Sequence, residues 1–267
     1  PAPAKGEMLL RAEYLSLDPY MRGRMSAGPS YAVPVGIGEV MVGGTVSRVV
    51  TSDVKGFAPG DWVMNYGGWQ DYSVSDGAGV TNLGPDPAHP SWALGILGMP
   101  GFTAWAGLTQ IGQPKPGETI VVAAATGPVG ATVGQIGKIL GCRVVGIAGG
   151  PEKCAYAVET LGFDACIDHK RDDLAQALAE ATPDGIDVYF ENVGGHVWDA
   201  VFPLLNTFAR IPVCGLVAQY NASGEFPGPD RLPGMMRDVL SKSLTIRGFI
   251  QREFAARKHT GAQIAAH

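Results

Sequence analysis

The sequence contains few cysteines, and those that it has do not lie in pairs. Cys142, Cys154, Cys166 and Cys214 are spread through 267 residues without a CxxC motif or a nearby histidine at metal-ligand spacing. A structural zinc site or a disulfide framework needs such spacings, so neither is indicated. We therefore expect four reduced thiols in or near a packed core, where free cysteine is commonly found, and no bound metal.

Long apolar runs and clusters of positive charge are also absent. No apolar run reaches the roughly 18 residues that cross a bilayer, and no signal-peptide pattern opens the chain. The net charge is −5 and the basic residues are dispersed, whereas a nucleic-acid surface needs a concentrated basic face. We expect a cytoplasmic protein that binds neither membranes nor nucleic acids.

Glycine is abundant, with 38 residues, which suits many tight turns, and the length suits two domains. Residues 7–75 hold short segments of strand character between turn signals, which favours a β-rich, barrel-like module. These segments are Met8–Leu17, Gly44–Val50, Asp61–Tyr66 and Trp69–Val74. We place a domain boundary near residue 98, which gives domains at 1–98 and 99–267. Helical segments are predicted on either side of Gly98-Met99-Pro100-Gly101, at Trp92–Leu97 and Thr103–Gln110.

The second half alternates between apolar strands and helices. Six strands are predicted, at Thr119–Ala125, Arg143–Ala148, Cys166–Asp168, Asp187–Glu191, Arg210–Gly215 and Leu244–Ile250. Four helices are predicted between them, at Val129–Leu140, Glu152–Leu161, Asp172–Ala181 and Val197–Leu205. Nearly continuous apolar strands that alternate with helices predict an α/β fold, a Rossmann-type doubly wound parallel sheet. Cofactors on such sheets bind at the carboxyl ends of the strands.

The turn after the first of these strands carries a glycine pattern typical of nucleotide binding. Ala125-x-Gly127-x-x-Gly130 is the GxGxxG pattern with alanine in its first position. Gly127 allows the backbone to approach a pyrophosphate, and Gly130 allows the helix to pack closely on the strand. The motif alone is weak, because strand-to-helix turns also use glycine for packing. In its strand, turn, helix and strand context it predicts a bound dinucleotide.

The end of the second strand indicates which dinucleotide binds. NAD-binding proteins usually offer an acid there for the ribose 2′-hydroxyl, whereas a 2′-phosphate needs a cation and no acid. Ile147-Ala148-Gly149 is not acidic, and Lys153 follows at the start of the next helix. The pattern favours NADP(H); the alternative is that Lys153 is a solvated surface residue.

Five blocks of sequence, spread over essentially the whole chain, resemble a known family. They are Leu15-Ser16-Leu17-Asp18-Pro19-Tyr20-Met21-Arg22, Gly98-Met99-Pro100-Gly101-Phe102-Thr103-Ala104, Ala124-Ala125-Thr126-Gly127-Pro128-Val129-Gly130, Glu191-Asn192-Val193-Gly194-Gly195 and Cys214-Gly215-Leu216-Val217-Ala218-Gln219-Tyr220-Asn221. The family is that of the zinc-free medium-chain dehydrogenase/reductases, in particular the leukotriene B4 dehydrogenase / prostaglandin reductase group with its bacterial NADPH-dependent curcumin reductases.

The resemblance implies a GroES-like catalytic domain joined to a Rossmann domain, usually in a dimer. It implies an enzyme that reduces the carbon–carbon double bond of α,β-unsaturated carbonyl compounds with NADPH. It also implies that the GroES-like domain is incomplete here, because the family's first few dozen residues and its returning C-terminal segment have no counterpart in this chain. We expect a homodimer, in which Leu244–Ile250 pairs across the dimer axis if it is the exposed edge of the sheet.

Cofactor-binding residues follow from the same resemblance. It places Gly127, Pro128, Val129 and Gly130 on the pyrophosphate and Lys153 on the 2′-phosphate. His169 stands where the family commonly has a tyrosine on that phosphate, which suggests a pH-dependent cofactor affinity. Further matches are Asn192, the loop of Cys214, Gly215, Leu216, Val217, Ala218, Gln219 and Tyr220, and the segment of Phe249, Ile250 and Gln251. The alternatives are a solvated His169 and an Asn192 that only forms a turn.

Without metal ligands, a substrate carbonyl must be polarised by hydrogen-bond donors. Tyr220 is the first candidate for a catalytic proton donor, although a cofactor-positioning role is open and water or a cofactor ribose hydroxyl are other proton sources. Tyr20, Arg22, Met99 and Thr103 are candidates for the substrate pocket, against purely structural roles in a loop and a helix start. Two other functions stay open: a quinone or enoyl-thioester reductase on the same scaffold, and an NADPH-binding protein without turnover.

Overall fold

The computed structural model describes residues 2–26, 32–222 and 229–254, and the chain divides into two compact units, Pro1–Gly98 and Met99–His267. The elements of the first unit are β1 (Met8–Leu15), a short helix α1 (Met21–Arg24), β2 (Thr45–Ser52), β3 (Trp62–Asn65), β4 (Tyr72–Ser75), β5 (Thr81–Gly84) and a 3-10 helix (Pro90–Leu94). The strands form one antiparallel sheet in the order β4-β1-β2-β3-β5. The predicted β-rich character of this half is confirmed.

The core of the first unit follows from the alternation of side chains along its strands. Met8 and Leu10 lie two residues apart in β1, so they share one face of the sheet. Both are fully buried, and they pack with Val49 of β2 and Val63 of β3. One face of the sheet therefore supplies this small core.

The second unit is built on six parallel strands. Its strands are β6 (Thr119–Ala123), β7 (Arg143–Ala148), β8 (Ala165–Asp168), β9 (Ile186–Phe190), β10 (Leu205–Val213) and β11 (Thr245–Gly248). Its helices are α2 (Met99–Ala106), continued by a π-helix (Gly107–Gly112), α3 (Pro128–Ile139), α4 (Pro151–Glu159), α5 (Leu174–Ala181), α6 (Gly195–Val201) and α7 (Leu232–Ser241). The strand order is β11-β10-β9-β6-β7-β8, and every pairing is parallel. The predicted doubly wound sheet is confirmed.

The central strand β6 shows why the sequence pattern was informative. All five of its residues are buried, because helices cover both faces of the sheet. Ile120 and Val122 join a core with Val133 of α3, whereas Val121 joins a second core with Val201 of α6. Successive residues of one strand thus support two separate helical layers.

Three local predictions from the sequence are wrong or incomplete. The predicted break at Gly98-Met99-Pro100-Gly101 is too long, since Gly98 lies outside the helices but α2 already begins at Met99, and proline is tolerated in the first turn of a helix. The helix predicted at Trp92–Leu97 is instead the short 3-10 helix at Pro90–Leu94. The sequence did not predict β5 or α7, because neither has the buried apolar face on which pattern recognition depends.

The described part of the chain shows neither cross-links nor membrane spans. All four cysteines are free, with Cys142 buried and the others partly buried. Burial, followed by the charge of Glu191, raises the pKa of the Cys214 thiol to about 12, so this group stays protonated. Within residues 2–26, 32–222 and 229–254, no helix combines the length and apolar character that a membrane span needs.

The packing of α3 against Phe163, which lies between α4 and β8, leaves no room for a side chain at Gly134. A Cβ there would lie 1.9 Å from the ring of Phe163. We expect Gly134→Ala to lower the free energy of unfolding by about 1–3 kcal/mol through overpacking, measured by urea denaturation. Gly234→Ala in α7 is the control, since a Cβ there meets nothing within 4 Å. Equal stabilities for the two variants would contradict this packing.

Candidate functional site

The order of the parallel strands creates a crevice at the carboxyl ends of β6 and β9. On one side of β6 the sheet continues with β7 and β8, and on the other with β9, β10 and β11. The helices that follow β6 and β9 pack into different cores, so they leave the sheet toward opposite faces. Sheets of this order bind dinucleotides where the direction of winding reverses. The candidate site is therefore at the ends of β6 and β9.

The turn between β6 and α3 is held rigidly at this crevice. Ala124 has a left-handed φ of 53°, and the N–H of Gly127 donates to its carbonyl oxygen at 3.0 Å. The N–H of the buried Ala125 donates to the carbonyl oxygen of Ile147 in β7 at 3.0 Å. Bonds within the turn and to the neighbouring strand thus fix its shape.

The start of α3 fits a pyrophosphate. Gly127 is the N-cap, has an extended backbone (φ −73°, ψ 163°) and supplies no capping side chain. Backbone N–H groups and the positive end of the helix dipole meet at such a start, which suits a phosphate. A Cβ on Gly130 would lie 2.3 Å from the Ala124 carbonyl oxygen. Glycine at this position is what lets the helix begin so close to the turn.

The loops after β7 and β8 form a corner next to this turn. One carboxylate oxygen of Asp168 accepts the N–H of Gly150 at 2.9 Å and the N–H of Lys170 at 3.0 Å. These backbone bonds hold the pKa of Asp168 below its usual range. The ring of His169 lies against Gly149, where a Cβ would be 3.0 Å from Nε2. Asp168 therefore joins the two loops and places His169 beside the Gly149-Gly150 turn.

Lys153 and His169, the two residues predicted for a 2′-phosphate, both flank the Gly149-Gly150 turn. Lys153 is exposed in the first turn of α4, which begins directly after Gly150. His169 reaches the turn from the end of β8 and is half-buried. The corner therefore offers a lysine and an imidazole, the donor types that suit a phosphate.

Two further basic groups at this corner were missed by sequence reasoning. A Cβ on Gly149 would lie 3.7 Å from Cε of Lys170, so the stem of this lysine runs along the same turn. The ring of His196 in α6 lies 5.4 Å from the ring of His169, and its Nε2 is 3.1 Å from the His169 carbonyl oxygen. Lys170 lies just after the predicted strand Cys166–Asp168, so the sequence did contain a signal that could have identified it. His196 comes from the other half of the sheet, and no local signal places it here.

The turn after β9 joins the two strands that line the crevice. The side-chain amide of Asn192 donates to the carbonyl oxygen of Ala123 in β6 at 2.8 Å. Gly194 and Gly195 have φ values of 75° and 61°, a backbone shape that favours glycine. Asn192 thus lies at the crevice, where its amide joins the ends of the strands.

The loop after β10 carries a phenol to the same crevice. The N–H of Val217 donates to the Asn192 carbonyl oxygen at 3.1 Å, and that of Ala218 to the Val193 carbonyl oxygen at 3.0 Å. The phenol oxygen of Tyr220 accepts the N–H of Leu216 at 3.3 Å. Tyr220 is therefore held by a loop that is docked on the turn after β9.

The segment after β11 is partly core. Phe249 is buried and packs edge-on against Phe190, with ring centroids 6.3 Å apart. Ile250 and Gln251 are partly exposed, and the N–H of Ile250 donates to the carboxylate of Glu253 at 2.9 Å. Phe249 thus has a packing role, and its side chain is turned into the unit.

The four substrate-pocket candidates lie in short helices or directly before one. Tyr20 is the N-cap of α1, and the guanidinium of Arg22 donates to the hydroxyl of Ser26 at 2.8 Å. Met99 opens α2, and the hydroxyl of the buried Thr103 donates to its carbonyl oxygen at 2.7 Å. This bond supports a packing role for Thr103. Substrate binding by these residues stays a prediction.

The hydrogen-bond donors at the site are backbone and side-chain groups of the protein. In the described ranges, no three His, Cys, Asp or Glu side chains are grouped so that they could hold a metal ion. The crevice offers backbone N–H groups, the Tyr220 phenol and the basic side chains of the corner. This donor set suits a phosphorylated dinucleotide.

The chain matches two protein families along its length. Residues 1–83 match the N-terminal domain of oxidoreductase, and residues 128–265 match the zinc-binding dehydrogenase family. Together with the fold and the crevice, these matches define an oxidoreductase built from an antiparallel β unit and a Rossmann unit.

Individual proteins are similar over most of the chain. The chain is 66% identical over 248 residues to the NADPH-dependent curcumin reductase of Escherichia coli (strain K12), covering 93% of this chain and 72% of that protein. It is 46% identical over 250 residues to prostaglandin reductase 1 of Mus musculus, covering 92% and 72%. The crystal structure of CurA in complex with NADPH from Vibrio vulnificus superposes with a TM-score of 0.94 at 61% identity, covering 100% of this chain and 78% of that one. The chain therefore belongs to the medium-chain dehydrogenase/reductases, in the group of the curcumin and prostaglandin reductases, as the sequence blocks predicted.

The basic corner predicts a specific loss of affinity when its lysine is removed. We expect Lys153→Ala to raise the dissociation constant of NADPH about 10- to 100-fold, the cost of a lost hydrogen bond to a charged group, and to leave that of NADH unchanged. Fluorescence titration measures both constants.

Lys138→Ala is the matched control, because Lys138 lies in the last turn of α3, where it pairs with Asp164 at 2.7 Å. It should change neither constant. Equal losses for NADPH and NADH in Lys153→Ala would remove Lys153 from the phosphate site.

Proposed function

We propose that this chain reduces the carbon–carbon double bond of α,β-unsaturated carbonyl compounds with NADPH. The observation that carries the proposal is 66% identity, over 93% of the chain, to a protein named NADPH-dependent curcumin reductase. The crevice fits this activity, because it combines a phosphate-binding helix start, a basic corner and a phenol.

The chain's own residues bind the two ends of the cofactor. The turn at Gly127 and the start of α3 hold the pyrophosphate, and Lys153, His169 and Lys170 hold the 2′-phosphate. When bound, NADPH supplies the hydride that is added to the β-carbon of the substrate. The Gly149-Gly150 turn leaves the corner open to a phosphate, because it presents no side chain there.

Tyr220 supplies the proton that completes the reduction. Addition of hydride at the β-carbon places negative charge on the carbonyl oxygen and α-carbon of the substrate, so a donor must neutralise it. The phenol oxygen of Tyr220 accepts the N–H of Leu216, and this bond stabilises the charge that the oxygen gains when its proton leaves. A phenol held in this way suits a proton donor.

The experiment that tests the function compares three classes of acceptor. NADPH oxidation by the purified protein is followed with enones, quinones and enoyl thioesters. We expect turnover with enones at the highest kcat/KM, and NADH to be a poor substitute. Preference for quinones or thioesters would replace the proposed function by those activities, and tight NADPH binding without any turnover would make the protein a binding module.

Removal of the Tyr220 hydroxyl tests the proton donor. We expect Tyr220→Phe to lower kcat for an enone by about 100-fold or more, the usual contribution of a positioned acid, without raising KM for NADPH. Tyr72→Phe is the control, because Tyr72 is an exposed tyrosine of β4. An unchanged kcat in Tyr220→Phe would assign the proton to another source.

We also propose that the enzyme is a cytoplasmic homodimer. Strand β11 pairs only with β10 among the described residues, so its other edge offers unpaired backbone groups to a second copy. The free cysteines suit a reducing compartment. Sedimentation velocity tests the dimer, and a monomer at every concentration would contradict it.

A further inference from the structure

Glu191 is a fully buried acid at the crevice that the proposed reaction does not use. Its side chain is 0% exposed, and it follows directly on the last residue of β9. A buried carboxyl group is costly unless hydrogen bonds satisfy it. Its hydrogen-bond partners therefore indicate why an acid occupies this position.

The partners of the Glu191 side chain are all donors. One carboxylate oxygen accepts the N–H groups of Val193 and Gly194, the latter at 2.9 Å, and the other accepts the hydroxyl of Tyr189 at 2.9 Å. An ionised carboxylate only accepts, so it matches this set. Burial raises the pKa of Glu191, and the hydrogen bonds from the Val193, Gly194 and Asn192 N–H groups and the Tyr189 hydroxyl oppose that rise. The side chain thus fixes the turn that follows it.

The backbone of Glu191 fixes the neighbouring loop. Its N–H donates to the carbonyl oxygen of Pro212 at 3.0 Å, and its own carbonyl oxygen accepts the N–H groups of Cys214 and Gly215 at 2.9 and 3.2 Å. The 214–220 loop therefore starts on Glu191, and its middle bonds to the 192–194 turn that the Glu191 carboxylate holds. One residue connects both segments that border this half of the crevice.

The position of the basic corner indicates which part of the cofactor this half receives. The corner lies at the ends of β7 and β8, so the adenosine side of the dinucleotide lies there. The nicotinamide side then falls on β9 and β10, whose following segments are those connected by Glu191.

We propose that Glu191 is a positioning residue, whose buried carboxyl group holds the 192–194 turn and the 214–220 loop in the shape that receives the nicotinamide half of NADPH. The proposal rests on the proposed function for the identity of the cofactor. The proposal predicts that loss of the Glu191 acceptors weakens the binding of NADPH and NADH equally, because both cofactors have the same nicotinamide half. Loss of Lys153, in contrast, is expected to weaken the binding of NADPH alone.

Asp187 provides a matched control for a purely structural role. It lies near the amino end of β9, at the opposite end of the strand from Glu191, where its carboxylate accepts the N–H of Thr119 and the side-chain amide of Asn206, both at 2.9 Å. Asp187→Ala therefore removes comparable bonds far from the strand ends that bind the cofactor. We expect it to lower the melting temperature and to leave both dissociation constants unchanged.

The test compares Glu191→Met, which keeps the length of the side chain but has no strong acceptor, with Glu191→Gln. Titration of the full chain with NADPH and with NADH gives the dissociation constants, and thermal unfolding gives the stability. We expect Glu191→Met to weaken both cofactors about tenfold, as for loss of a buried hydrogen bond. Glu191→Gln should keep wild-type affinity, because its amide oxygen still accepts both backbone N–H groups.

Three outcomes would overturn the proposal. They are wild-type affinity in Glu191→Met, a loss no larger than in Asp187→Ala, and a Glu191→Gln variant as weak as Glu191→Met. If Glu191→Met does not fold, Tyr189→Phe decides, since it removes one donor from the same carboxylate. It should weaken both cofactors by about threefold, and unchanged affinity would count against the proposal. If the wild-type chain binds NADPH but does not reduce enones, the proposed function is wrong, whereas the proposal for Glu191 is not affected.

Discussion

The parallel pairing of β6 with β9 is the interaction on which the rest of the structure depends. It places Ile120, Val121 and Val122 opposite Val188, Tyr189 and Phe190, in the middle of a sheet that is covered on both faces. Because β7 lies on the other side of β6, the two halves of the sheet wind in opposite directions from this pair. The crevice, the phosphate turn and the loop with Tyr220 all follow from that reversal.

The two halves of the crevice differ in charge, and the difference matches the ligand. The half formed by β7 and β8 exposes basic groups around a turn without side chains, where a 2′-phosphate gains most from charge-assisted hydrogen bonds. In the half formed by β9 and β10, Glu191 at the carboxyl end of β9 is buried beneath backbone N–H groups. The exposed basic groups thus recognise the 2′-phosphate, while the buried Glu191 holds the 192–194 turn and the 214–220 loop in place.

Much of this organisation was predictable from the sequence, because it rests on local patterns. The six parallel strands appear as apolar runs, and Gly141 and Gly162 end their helices with φ values of 76°, the left-handed caps that glycine predicts there. The turn at Gly127 and Gly130 is a local motif in the same way.

Features that depend on contacts between distant segments were not predictable. His196 reaches the basic corner from α6, which follows β9 in the other half of the sheet. The role of Glu191 is invisible in a strand of apolar residues until the Val193 and Gly194 N–H groups fold onto it. Helix α7 was missed for another reason: Leu232, Met236 and Leu240 are exposed, and Met235 and Val239, which pack against the core, are only partly buried. Its apolar residues therefore do not mark a single buried face.

The central claim is that the crevice directs a hydride to the β-carbon of an enone. The most direct measurement uses NADPH that carries deuterium at nicotinamide C4 and follows the label in the product by NMR. The account predicts deuterium on the β-carbon and a solvent-derived proton on the α-carbon, with the carbonyl group intact. Deuterium on the carbonyl carbon, in an allylic alcohol product, would contradict it.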